Sequence, residues 1–381
     1  MEANPTTITT MTPTTQSTMT PTTVEFDLQL LHQLYDVFKL MFDDKIDDVA
    51  TKPASTSTST STSTSTSTST STSTSTITTT DNNEVQVEVQ DNQRKNEKFK
   101  YRYELDWLSD KERSAMLDDD DRPNYMDTTL VNNVATMFTY TPESELMRYN
   151  SLMSSKCFYP MKPYYKHVSL VTLAWAALGR FPITMQPVHG LAELDRESND
   201  ITTRNDITQC ITKLLQQNDG EWSTMTLDKR VDAMYQWFKS LDMRALLTMM
   251  GFRRTVGSTN SLPPGPIRLI NAANLPHSPG SPSKLTTSAR ALCKHSNRSD
   301  NSFWGPGTGP EPVKNIRSEK IIVTMLQENV WMNMHWLPHD ITILEIRCEA
   351  GYGLRWDASG AAFRGTLEPM MENGHEKGWR H

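Results

Sequence analysis

The sequence contains little cysteine and no cysteine motif. Its 381 residues include four cysteines, Cys157, Cys210, Cys293 and Cys348, and none belongs to a C-x-x-C pair. Cysteines this far apart predict neither a disulfide framework nor a cysteine-ligated zinc site. We therefore expect no metal ion, and we expect a reducing compartment, the cytoplasm or the nucleus.

Several other signatures are missing. No apolar run approaches the length that crosses a bilayer, and the first residues lack the basic and apolar regions of a secretory signal, so we expect no membrane partner. The sequence has no phosphate-binding loop, no G-x-G-x-x-G and no G-x-S-x-G, so we expect no cofactor. The net charge of −7, with nearly balanced charges from Ser283 onward, argues against a nucleic acid as partner.

Apolar residues are scarce mainly in the amino-terminal quarter. Residues 1–23 are mostly Thr, Met and Pro, and residues 51–98 hold an alternating Ser-Thr tract followed by a polar stretch. Such compositions cannot bury enough apolar surface to fold. We predict that 1–23 is disordered and that 51–98 is a low-complexity disordered linker.

Residues 24–50, between these two segments, have a helical period. The spacing predicts an amphipathic helix, and a helix of this length needs a surface on which to bury its apolar stripe. That surface belongs either to the rest of the chain or to another protein. The apolar stripe consists of Leu28, Leu31, Leu34, Phe38, Met41 or Phe42, Ile46 and Val49.

The remainder divides by composition into three segments. Residues 99–256 contain several capped helical patterns and predict an α-rich domain. Residues 257–282 are rich in Pro, Gly, Ser and Asn and predict a connecting loop. Residues 283–381 predict an α+β module of two helices and an antiparallel meander of three or four strands. The aspartate run at 118–121 has the wrong spacing for a calcium loop and is interpreted as a solvated turn.

The meander is expected to have two different faces. Short loops at "EAG" and "DASG" pair Glu345 with Arg355, Ile346 with Leu354, and Leu354 with Phe363. If "PHD" turns the preceding strand as a three-residue loop, Asn333 and His335 join the charged face, whereas a two- or four-residue turn would invert that strand. The apolar face then carries Leu344, Ile346, Leu354, Trp356 and Phe363, and the charged face carries Glu345, Arg347, Arg355 and Arg364.

The charged face is the candidate site. Guanidinium groups give bidentate, permanently charged donation that suits a carboxylate or a phosphate, so the anion-binding candidates are Arg347, Arg355, Arg364 and Gly353. The catalytic candidates are Glu345, His295 and His335. An ordinary solvated sheet face with one Glu345–Arg355 pair is the competing interpretation.

Three functions fit these patterns. The first is a non-enzymatic interaction protein that binds a protein partner through the tethered helix at 24–50. The alternative is an enzyme that acts on a small phosphate- or carboxylate-bearing substrate at the charged face of the carboxy-terminal sheet. A nucleic-acid binder is the third, and the charge balance disfavours it.

Overall fold

The computed structural model describes most of the chain from residue 100 to residue 370, together with one amino-terminal helix and the strand that follows it. The described residues are 26–43, 45–46, 100–118, 134, 137–184, 187–188, 190–191, 193–194, 200–216, 221–296 and 303–370. The predictions for 1–23, for the Ser-Thr linker and for the aspartate run after Asp118 lie outside these residues.

Eleven helices precede or flank a four-stranded sheet in the described part of the chain, so the predicted α+β class is confirmed. The helices are α1 Leu28–Asp43, α2 Asp110–Leu117, α3 Pro142–Met153, α4 Tyr164–Leu178, α5 Asn205–Gln216, α6 Glu221–Thr224, α7 Leu227–Phe238, α8 Met243–Met249, α9 Pro266–Asn274, α10 Thr287–His295 and α11 Glu311–Gln327. Strands β1 Lys45–Ile46 and β2 Lys100–Tyr101 form a short antiparallel pair.

Helix α1 packs into the body of the chain. Asp27 caps it by accepting a hydrogen bond from the amide of Leu30. The part of its apolar stripe between Leu31 and Phe42 is buried, whereas Val49 lies outside the described residues. The ring of Phe38 meets Phe238 of α7 at 5.5 Å between centroids. Tyr35 donates a hydrogen bond to Glu145 of α3. Of the two surfaces that the sequence left open, the helix therefore uses the rest of its own chain.

The helix ends follow local chemistry. Ser109 and Glu112 form a reciprocal capping box at the start of α2, as expected for a hydroxyl followed three residues later by a carboxylate. Gly179 ends α4 in a left-handed conformation with φ of 63°, where a side chain would be strained. Thr286 caps α10, and its side chain accepts a hydrogen bond from the amide of Ala289.

The segment 257–282 differs from the expected connecting loop because it contains α9. Pro266 occupies the first turn of this helix, where its missing N–H costs nothing. Leu269 and Ile270 are buried, and the carbonyl of Leu269 accepts a hydrogen bond from the indole of Trp356. Apolar burial therefore overrides the Pro, Gly and Asn content that indicated a loop.

The sheet consists of β3 Trp331–Leu337, β4 Ile341–Arg347, β5 Gly353–Asp357 and β6 Phe363–Leu367 in the order β3-β4-β5-β6. All neighbours are antiparallel, and residues 338–340 form the three-residue turn between β3 and β4. Glu345 pairs with Arg355, as predicted. The predicted pairing of Leu354 with Phe363 is wrong, because the connection between the paired positions of β5 and β6 takes six residues, 357–362, and Phe363 therefore opposes Trp356. A bulge between Arg355 and Trp356 shifts the rest of β6 by one further residue.

The segment 253–259 runs along the free edge of β3. The amide of Arg253 donates to the carbonyl of Met332 at 2.7 Å, and that of Thr259 donates to Met334 at 2.8 Å. The buried apolar residues from α1 to β6 form one continuous cluster. Among the described residues, no helix is both long and apolar enough to cross a membrane.

Candidate active site on the sheet face

Glu345 lies at the centre of the charged face of the sheet and is 2% exposed. Its Oε1 accepts a hydrogen bond from Nε of Arg347 at 2.6 Å. Its Oε2 accepts two from Arg355, from Nη2 at 2.7 Å and from Nε at 3.2 Å. The Nε2 atom of His335 lies 3.4 Å from the same oxygen. Three sequence-predicted candidates therefore meet on one carboxylate.

These contacts control the ionisation of Glu345. Burial by itself raises the pKa of a carboxyl group, since the charged form loses solvation. The hydrogen bond with His335 and the positive charges of Arg347 and Arg355 outweigh burial and lower the pKa of Glu345 to about 2. The side chain is therefore an anion that holds its cationic neighbours in place.

Arg347 is held from several directions at once. It is 1% exposed, and its Nη1 donates to the carbonyl of Gly351 at 2.6 Å and to that of Glu368 at 3.1 Å. A guanidinium with this many protein acceptors has a structural role. The prediction that Arg347 belongs to the charged face agrees with its position in the sheet register, but its burial separates it from the more accessible Arg355.

His335 and Arg355 are the accessible members of the cluster. Their side chains are 16% and 22% exposed, whereas that of Glu345 is 3% exposed. The Nδ1 atom of His335 lies 3.2 Å from the carbonyl of Trp336, and its ring meets Trp331 edge-on at 6.3 Å. A ligand that approaches this face can therefore reach one imidazole and one guanidinium, with the carboxylate behind both.

Asn333 occupies the neighbouring position on β3, opposite Glu345, and is fully buried. Its Oδ1 accepts a hydrogen bond from the hydroxyl of Ser258, and its Nδ2 donates to the hydroxyl of Thr255. These two hydroxyl groups come from the segment along the β3 edge. The sequence placed Asn333 on this face only conditionally and gave no signal for Thr255 or Ser258, because their contact with β3 is a long-range one.

The β6 side of the face is more open. Gly365 lies opposite Arg355 with φ of 134°, and a Cβ atom built on it meets nothing within 4 Å. Gly353 is different, because a Cβ there would lie 2.9 Å from the carbonyl of Ile346. Arg364 takes the extra position of the bulge and is exposed. Open space therefore lies beside Arg355, and Gly353 serves close packing of strands.

His295, the third catalytic candidate, belongs to a separate cluster. Its Nδ1 lies 2.8 Å from Oε1 of Glu368, and the indole of Trp304 donates to the same oxygen at 3.0 Å. All three side chains are buried. The structure therefore does not bring His295 to Glu345. The sequence gave no indication of Glu368, because a single carboxylate after a strand carries no pattern.

The described residues contain no group of three or more His, Cys, Asp or Glu side chains arranged to hold a metal ion. Asp118, at the edge of the aspartate run, lies with its Oδ2 atom 3.0 Å from Nζ of Lys162. The imidazole, carboxylate and guanidinium groups of the sheet face can transfer protons and stabilise charge.

The sequence of residues 276–368 matches the family described as the CdiA C-terminal tRNase toxin domain. The match covers about a quarter of the chain, beginning after α9 and ending one residue after β6. It includes α10, α11, the whole sheet and every candidate site residue. No curated protein and no solved structure matches the chain.

This match corrects the first functional hypothesis. A non-enzymatic interaction protein was expected, but the matched family is described as a tRNA-cleaving toxin domain, which is an enzyme. The burial of the α1 stripe in the core also removes the surface through which such a protein was expected to bind. The alternative, an enzyme acting on an anionic substrate at the sheet face, agrees better with the match.

The expected partners need a partial correction as well. The near balance of charges argued against a nucleic acid, whereas the matched family is described by its action on tRNA. A net count of charge averages the basic groups of the sheet face with distant carboxylates, so it does not test for a local basic surface. A protein partner is compatible with a toxin-domain description.

Proposed function

We propose that residues 276–368 form a ribonuclease domain that cleaves tRNA, and that the charged face of the sheet is its active site. The family match supports the substrate class. The observation that carries the location is the buried Glu345 carboxylate, which holds the accessible His335 and Arg355 side by side at the surface. In phosphodiester cleavage an imidazole can transfer the proton and a guanidinium can stabilise the charge that develops on the phosphoryl oxygens.

In this proposal Arg355 binds the scissile phosphate. Glu345 occupies the Nε and Nη2 side of the guanidinium, which fixes the plane of the group. The remaining N–H donors are then directed at a fixed angle, and a preorganised guanidinium stabilises the charge that develops on the phosphoryl oxygens. The open space over Gly365 leaves room for the phosphate and its sugar.

His335 carries the proton transfer. The neutral imidazole donates its Nε2–H to Glu345, so Nδ1 is the atom that accepts the proton of the ribose 2′-hydroxyl. The hydroxyl oxygen attacks the adjacent phosphorus, and the bond from phosphorus to the 5′-oxygen breaks. The 5′-oxygen takes a proton from solvent. The products are a 2′,3′-cyclic phosphate and a 5′-hydroxyl end, so all atoms are accounted for without a co-reactant.

Glu345 is a positioning residue in this scheme. Its pKa of about 2 makes it a weak base at neutral pH, and both of its oxygens already accept hydrogen bonds. Efficient general bases have a pKa near the working pH. We therefore assign proton transfer to His335, and we assign to Glu345 the orientation of His335 and Arg355.

We also propose tRNA as the nucleic-acid partner of the chain. A protein partner stays a proposal without an assigned surface, since the apolar stripe of α1 is buried in the body of the chain.

Incubation of the purified chain with tRNA tests the proposed activity. We expect cleavage fragments that end in 2′,3′-cyclic phosphate, and no cleavage of a DNA strand of the same sequence, because DNA lacks the attacking 2′-hydroxyl. Intact tRNA after prolonged incubation, or equal cleavage of DNA, would contradict the proposal.

A further inference from the structure

A cavity of about 510 Å³ lies where the helical part of the chain meets the matched region. One wall is the carboxy-terminal half of α3 with the loop that follows it. The other wall is the segment that joins α11 to β3, with one residue of the β4–β5 turn. The residues that matter for its chemistry are Arg148, Ser151, Lys156, Phe158, Asn329 and Glu349.

Arg148, in the α3 wall, is a buried cation. The residue is 2% exposed, and no carboxylate of the described residues lies within ion-pair distance of it. Its Nη2 donates to the carbonyl of Met137, while its Nε has no hydrogen-bond partner in the described structure. Burial lowers the pKa of Arg148 to about 10, so the group remains charged at neutral pH.

Such an arrangement is unusual for a purely structural residue. Buried charges in proteins are normally paired, because desolvation of an isolated ion is costly. The ring of Phe158, 4.8 Å from the guanidinium carbon, gives a partial offset through its π face. The ring of Phe158 supplies no hydrogen-bond acceptor, whereas an anion in the adjacent cavity would supply one.

The other residues that line the cavity suit an anion that also carries a hydrogen-bond donor. Asn329 is 1% exposed, and its Oδ1 has no hydrogen-bond partner within the described ranges. Lys156, Glu328 and Glu349 are exposed at the mouth, where one positive and two negative charges are solvated. The buried positive charge of Arg148 is therefore the one that lacks both solvent and a counter-ion among the described residues. We expect Arg148 to make the cavity select anions.

We propose that this cavity binds a small organic oxyanion, a phosphate or a carboxylate, whose charge pairs with Arg148. The volume lies within the range of ordinary small-molecule sites. The site lies outside the sheet face and does not depend on the proposed ribonuclease activity. Because the ligand would contact both α3 and the segment that leads into β3, its binding would also join the two walls.

Thermal unfolding of the full chain in the presence of inorganic phosphate or succinate, at constant ionic strength, tests this site. We expect a concentration-dependent rise in Tm for the wild type with at least one of the two anions. The Arg148→Met variant should show no rise, and without anion it should be at least as stable as the wild type, because it removes an unpaired buried charge. The response to each anion separately distinguishes a phosphate ligand from a carboxylate ligand.

Two further variants keep the test decisive. Lys156→Glu changes an exposed residue and should weaken the anion response several-fold without affecting folding, which covers the case that Arg148→Met does not fold. Lys229→Glu reverses an exposed charge on α7 that does not line the cavity, and it should leave the response intact. No rise in the wild type, or a full rise kept in a folded Arg148→Met variant, would overturn the proposal.

Discussion

Arg347 and Glu345 form an ion pair on one face of β4, with 2.6 Å between Nε of Arg347 and Oε1 of Glu345 and with both residues at most 2% exposed. Residues two apart on a strand point the same way, so the pair is built into the strand itself. The same carboxylate also holds His335 and Arg355. The stability of the sheet and the geometry of the proposed active site therefore depend on one side chain.

Glu345→Gln is expected to destabilise the chain by about 3–5 kcal/mol, since it leaves the buried Arg347 without its counter-ion. Urea denaturation followed by circular dichroism measures the change. Asp340→Asn is the matched control, because Asp340 is exposed in the β3–β4 turn with positive φ, which asparagine also tolerates. Equal stabilities of the two variants would contradict the assigned role of Glu345.

Acid should remove the contribution of Glu345. Its pKa is about 2 in the folded chain and 4.5 at the ordinary model-compound value, so folding favours the charged form. The resulting stability is present above pH 4.5 and is lost as the pH falls toward 2. The difference in unfolding free energy between wild type and Glu345→Gln should therefore shrink over this range. A difference that stays constant from pH 6 to pH 3 would contradict the assignment.

His167, at the end of the first turn of α4, is expected to give a second acid-sensitive contribution. Burial and the charge of Arg148 lower its pKa from 6.5 to about 3, so the folded chain keeps the ring neutral. Below pH 6.5 the unfolded chain binds a proton that the folded chain does not, and stability falls as the pH drops toward 3. His167→Leu should flatten the stability profile between pH 6.5 and pH 3, measured by urea denaturation at each pH. An unchanged profile would contradict this account.

Helix α1 should be required for folding. Phe38 is fully buried between Phe42 and Phe238, so Phe38→Ala is expected to cost about 3–5 kcal/mol by leaving a cavity. Lys39→Ala, on the exposed side of the same helix, should be nearly neutral. Thermal unfolding of both variants compares them. If deletion of residues 1–98 left a cooperatively folding product, this role of α1 would be excluded.

The sequence was informative where a local pattern determines the structure. The loop lengths at "PHD" and "EAG" set the β3–β4 and β4–β5 register, and that register places Asn333, His335, Glu345 and Arg355 in neighbouring positions. The bulge opposite Arg355 could not be predicted from loop length, because it lies inside the strand. Arg364 is the extra residue of the bulge, and Gly365 next to it has positive φ.

Long-range contacts were beyond the sequence patterns. The charged face was expected to be solvated or ligand-bearing, yet Glu345 and Arg347 are almost completely buried. The hydroxyl groups around Asn333 come from a segment about 75 residues earlier in the chain. Similarly, the period of α1 predicted an apolar stripe but could not identify α4 and α7 as the surfaces that bury it.

Cleavage of tRNA by His335→Ala and Arg355→Ala, compared with His339→Asn, is the measurement that tests the assigned active site most directly. His339 is an exposed histidine in the β3–β4 turn with positive φ, which asparagine tolerates, so it serves as the matched control. We expect a loss of about 100-fold or more in cleavage rate for His335→Ala and Arg355→Ala and wild-type cleavage for His339→Asn, with each variant shown by circular dichroism to be folded at the assay temperature. Full cleavage activity in folded His335→Ala and Arg355→Ala proteins would contradict this assignment.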